Sequence, residues 1–106
     1  MRVVVLTPDL ADRARIAAVV PDAGFVGAAA LLPRAAEGAE VVVVDLSRAG
    51  VLDVLAEVVA LGGRVVGYGP HVDAELLATA SAAGVEAVPR SRFFRDMTPF
   101  IITKQA

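Results

Sequence analysis

Residues 41–50, Val-Val-Val-Val-Asp-Leu-Ser-Arg-Ala-Gly, decide the fold. Successive β-branched residues without polar alternation indicate a strand covered on both faces rather than one half exposed to water. Asp45 stands where such a strand ends, and Ser-Arg-Ala-Gly reads as the turn leaving it. A run of the same kind, Val3, Val4, Val5 and Leu6, opens the chain, and Val65 with Val66 begins a third, ended by Gly67, Tyr68, Gly69 and Pro70. Weaker strands at 25–29 and 85–89 fill the remaining gaps, and the first of these, rich in Gly and Ala, reads as an edge strand.

Helix-length segments separate the strands. Segment 10–20 places Leu10, Ala14, Ala17 and Val20 on one face, with Asp9 as N-cap and Pro21 as its stop. Segment 31–37 is a short helix around Pro33, closed by Gly38. Segment 51–61 buries Leu52, Leu55, Val58 and Val59 and stops at Gly62-Gly63, while 74–83 uses Leu76, Leu77 and Ala80 and stops at Gly84. The last segment, 91 to about 104, reads as one helix with Ser91 as N-cap and Pro99 inside it. Such alternation predicts an α/β domain spanning 1–106, a flavodoxin-like, doubly wound, five-stranded parallel sheet of order 2-1-3-4-5. Ligands in these sheets collect at the carboxyl ends of the strands, which directs attention to Thr7, Pro8, Asp9, Asp45, Ser47, Gly69, His71, Arg90 and Ser91.

Composition narrows the chemistry. At 106 residues, 57% apolar and 21% charged, the chain suits a single domain, and no apolar run approaches the roughly 18 residues of a membrane span. The opening segment lacks the pattern of a signal peptide, so a cytoplasmic protein without a membrane partner is expected. The absence of cysteine excludes disulfides, thiolate metal sites and cysteine nucleophiles, and the single histidine, His71, excludes a site needing two imidazoles, so neither metal nor cofactor is expected. A net charge of −2 argues against nucleic acid as a partner, although Arg90, Arg92 and Arg95 form a small basic run.

At this point the sequence resembles the receiver domains of two-component response regulators along nearly its whole length. VVVVDLSRAG resembles the receiver's third strand and the loop after it, with Ala49 where proline is usual. AAGVEAV resembles the segment leading into the last strand, and MRVVVLTPDLADR the first strand and its turn. The resemblance implies a signalling or regulatory domain whose phosphoacceptor position is Asp45. It also exposes departures. The acidic pair that holds a cation in receivers reads Thr7 and Pro8, the Ser or Thr after the fourth strand falls on Gly69, and the lysine after the fifth falls on Ser91, with Arg90 beside it. Without cation, hydroxyl and lysine, phosphoryl transfer to an isolated aspartate lacks its charge stabilisation. The resemblance therefore implies a degenerate, or pseudo-, receiver.

Each candidate also has a plainer role. Asp45 reads as a solvated strand-end carboxylate capping its loop, and beyond that as a phosphoacceptor or a ligand contact with Arg90 or Arg92 as counter-charge. Asp9 reads as an N-cap, His71 as a surface or capping residue, and Ser47 and Ser91 as caps, since no Gly-x-Ser-x-Gly elbow surrounds either serine. Gly67-Tyr68-Gly69-Pro70 lacks the spacing of a phosphate-cradling loop, and Tyr68 is expected to pack half-buried against the final helix. In that helix Phe93, Phe94, Met97, Phe100 and Ile101 span a wide apolar arc, so the expected partner is a protein, a second copy of this chain forming a homodimer through the final helix region. The function expected is that of a non-enzymatic receiver-like interaction module. The alternatives are a small-ligand or anion-binding domain at the strand ends, and an active phosphoacceptor using Asp45.

Overall fold

The computed structural model describes residues 1–102, and the end of the last predicted segment, including Lys104, lies outside them. The elements run β1 (Val3–Leu6), α1 (Leu10–Val19), β2 (Gly24–Val26), a 3-10 turn (Ala29–Leu31), α2 (Leu32–Ala35), β3 (Val41–Asp45), α3 (Val51–Ala60), β4 (Arg64–Gly69), α4 (Ala74–Ala82), β5 (Glu86–Pro89), α5 (Arg90–Arg95) and α6 (Thr98–Ile101). All strand pairs are parallel, and the order is β2-β1-β3-β4-β5, the flavodoxin-like arrangement expected from the sequence.

The uninterrupted valine runs follow from a sheet that is covered twice. Side chains alternate across a strand. Val4, Leu6, Val42 and Val44 therefore meet α2, α3 and α4 through Leu32, Val51, Leu55, Val58 and Ala80. Val3, Val5, Val41, Val43, Val66 and Tyr68 meet α1, α5 and α6 through Ile16, Phe93 and Ile101. Gly67 is required by this packing, because a Cβ there would lie 2.7 Å from Leu46 Cδ2, which seats against β4. Gly50 begins α3 at φ 81°, a conformation glycine takes without strain.

Three helix readings need correction. The buried stripe of α1 is Asp12 and Ile16 with the Val20 cap residue, and Leu10 is 78% exposed. In α3, Val51, Leu55 and Val58 are buried and Leu52 is 43% exposed. The final helix is two pieces separated at Asp96, whose backbone is extended (φ −152°, ψ 94°), and Ser91 lies inside α5 rather than capping it. Pro99 explains the break. Without an N–H it fits the first turn of a new helix, not the interior of a long one, and it sits in the first turn of α6. The turn carries Phe93 and Ile101 into one core, both wholly buried, so neither is available as an interface residue. Phe94, Met97 and Phe100 pack against that core half-buried.

Candidate functional site

The carboxyl ends of β1, β3, β4 and β5 gather Thr7, Asp45, Gly69 and Arg90 at one rim of the sheet. Asp45 closes the loop that follows it. The Ser47 N–H and hydroxyl donate to its Oδ1 at 3.1 and 2.7 Å, and Arg48 Nε donates to its Oδ2 at 2.9 Å. The capping role is as the sequence suggested, but the carboxylate is buried, at 3% exposure, rather than solvated. Its ion pair is with Arg48, three residues on; Arg90 acts on it only through space, without a hydrogen bond.

Thr7 is fully buried at the end of β1. Its hydroxyl accepts from the Asp9 N–H at 3.2 Å, and its carbonyl accepts from Arg13 Nε at 2.7 Å. Asp9 caps α1 as expected, Oδ1 accepting from the Asp12 N–H at 3.0 Å. Two polar groups of the preceding turn are thus held by its own residues. Pro8 between them has no side chain able to ligate a cation, and among the described residues no cluster of acidic or imidazole side chains is grouped to hold a metal ion.

The strongest polar constellation at this rim centres on Asp12, which sequence reasoning missed. Its carboxylate, 1% exposed, accepts from Arg90 Nη1 at 2.7 Å, from Arg90 Nη2, and from the Tyr68 hydroxyl at 3.0 Å. Burial by itself raises a carboxyl pKa, yet the hydrogen bonds from Arg90 and Tyr68 and the charges of Arg90 and Arg15 outweigh it and hold Asp12 below its ordinary value. Burial pushes the Tyr68 phenol well above its ordinary range, and the nearby carboxylates of Asp45 and Asp12 add to the shift. Tyr68 is wholly buried rather than half-buried, stacked on Phe93 with ring centroids 5.0 Å apart. The Arg90 guanidinium lies 5.5 Å from the Tyr68 centroid and 4.8 Å from that of Phe94, and Arg15 lies 5.3 Å from the Phe94 ring. One signal for Asp12 was available: it precedes Ile16, the one isoleucine of α1, by one helical turn, which puts both on the same face.

The other predicted residues stand apart. His71 is exposed in the turn before α4, and among the described residues no hydrogen bond links it to Asp45. Ser91 is exposed on α5. Gly69 faces Leu76, so no hydroxyl reaches Asp45 from β4. Among the described residues, every buried side-chain nitrogen and oxygen has a hydrogen-bond partner. The buried polar groups of the rim are thus satisfied by one another.

Fold and site together define a doubly wound α/β domain of flavodoxin-like order whose buried strand-end polar groups are internally paired. Among solved structures, the chain is similar to the crystal structure of a "putative pilus assembly-related protein" from Burkholderia pseudomallei, with a TM-score of 0.68 and 18% identity over 86% of this chain and 78% of that one. At that identity the likeness concerns the fold. No family model matches the chain, and no curated protein matches it in sequence. Among the described residues, no helix is long and apolar enough to cross a membrane.

Proposed function

We propose that this chain is a non-enzymatic, receiver-like regulatory or interaction module whose phosphoacceptor position has been converted into a structural cap. The observation that carries the reading is the state of Asp45, with both carboxylate oxygens engaged by Ser47 and Arg48 of its own loop. Supporting it are Thr7 and Pro8 at the cation-holding positions and the pairing of Arg90, which stands beside the position of the receiver's lysine, with Asp12 rather than with Asp45. The engagement of both Asp45 oxygens within their own loop also weighs against Asp45 as a ligand contact. A protein partner is the remaining role for such a module, and a second copy of this chain is the expected one, contacted through the α5–α6 region where Phe94, Met97 and Phe100 stay partly exposed.

The test is a titration with beryllofluoride and magnesium followed by amide NMR, paired with intact mass after exposure to a small phosphodonor. The pseudo-receiver reading expects no shifts clustered at Thr7, Asp45 and Arg90, and no gain of a phosphoryl group. A stable phosphoryl adduct that vanishes in Asp45→Asn would overturn it.

A further inference from the structure

The two faces of the sheet carry opposite charge. On the α1–α5 side, Arg92 and Arg95 are exposed and line a cleft of about 320 Å³ with Phe100 and Pro99, in which Asp96 is the acid present. Arg15 extends this positive surface across the Phe94 ring. Among the described residues, none of Arg15, Arg92 and Arg95 belongs to an ion pair. On the opposite side a groove of about 430 Å³ opens at the strand-end rim, between the loop after β3 with the first turn of α3 and the first turn of α4. Leu52 and Leu76 form its apolar part, Asp53 and Asp73 its acidic walls, and it continues past Glu75. Arg48 stands at one end of the groove, but its Nε is bound to Asp45.

We propose that a second copy of this chain docks head to tail, its α5–α6 edge seated in the α3–α4 groove of the first. Arg92 and Arg95 would face Asp53, Asp73 and Glu75, and Phe100 would meet Leu52 and Leu76. The proposal rests on the reading of the chain as a self-associating module and names the surface that receives the final helices. Charge decides the geometry. A two-fold pairing of α5 on α5 brings two basic edges together with Asp96 of each as the carboxylate between them, whereas the head-to-tail contact sets Arg92 and Arg95 against Asp53, Asp73 and Glu75. Because donor and acceptor surfaces lie on opposite sides of the sheet, each bound copy keeps a free groove and a free edge, so the contact repeats into a ring or an open row.

Sedimentation velocity of the full chain, at low and at half-molar salt, tests this with two charge-reversed variants, Asp53→Arg with Glu75→Arg, and Arg92→Glu with Arg95→Glu. The unmodified chain is expected to associate beyond a dimer and to weaken at least about tenfold at the higher salt. Each variant alone should sediment as a monomer, and an equimolar mixture should associate again, since each then offers the surface the other lacks. That recovery also reports that both variants are folded. If the groove variant associates like the unmodified chain, the head-to-tail contact is wrong although self-association stands. If the unmodified chain is monomeric at tens of micromolar, self-association fails and the head-to-tail contact with it.

Discussion

Asp12 is the residue on which the strand-end rim depends, because its removal strands two partners at once. Asp12→Ala takes from the buried Tyr68 hydroxyl its carboxylate acceptor and leaves Arg90 without its carboxylate, and the expected loss is about 2–3 kcal/mol in a denaturant melt. Tyr68→Phe removes one hydrogen bond and keeps the stacked ring, so it should cost about 1 kcal/mol. Asp12 and Arg90 variants should be non-additive by at least about 1 kcal/mol, while Asp45 and Arg90 variants, which share charge but no hydrogen bond, should couple less than that. Tyr68 offers a second measurement, since it is the chain's one tyrosine. Its folded-state pKa is raised, so the stability it contributes is fully present below its ordinary value of 10.0 and is lost as pH climbs above it. Phenolate absorbance should therefore appear well above pH 10 in the native chain and near 10 in denaturant. Asp12 has the opposite sign. Its folded-state value is depressed, so its contribution is present above 3.8 and lost as pH falls below it, and Asp12→Asn should flatten the acid limb of the stability curve.

At the scale of elements, the strands were far more legible than the faces of the helices. A run such as Val41–Val44 reads as a doubly covered strand whatever its neighbours do, because burial on both sides tolerates no polar alternation. The face of α1 was harder to read, since Ala-rich sequence gives several equivalent stripes and the true one contains a carboxylate whose partners, Tyr68 and Arg90, are distant in the chain. The same reason hid the rim. Asp45 and its Ser47 cap are local and readable, whereas the Asp12–Arg90 pair exists only once β1 and β5 share a sheet. The final segment was misjudged because its apolar arc is too wide for a straight helix but suits two short helices that meet one core at different angles. Phe93 is fully buried beneath Tyr68 and Phe100 lies at the margin, with centroids 5.8 Å apart. Phe93→Ala should cost about 3–4 kcal/mol, while Phe100→Glu should give a folded chain by circular dichroism with diminished self-association.

For the molecule as a whole, two separate cores share one sheet, and the central strand contributes to both. Val41 and Val43 face α1, α5 and α6, and Val42 and Val44 face α2, α3 and α4. Before that sheet assembles, the same four valines form an uncharged, strongly β-prone stretch able to pair with copies of itself. Two carboxylates bracket it, Glu40 on one side and Asp45 on the other. In the folded chain one meets the Arg2 N–H and the other closes its loop, but in the unfolded chain both repel stacking of identical segments. Neutralising the pair, as Glu40→Gln with Asp45→Asn, should lower the recovery of native protein after heating more than its loss of stability accounts for, read as light scattering during refolding. Asp45 would then also serve the chain in its least ordered state, keeping newly made copies apart until β1 and β4 close over β3.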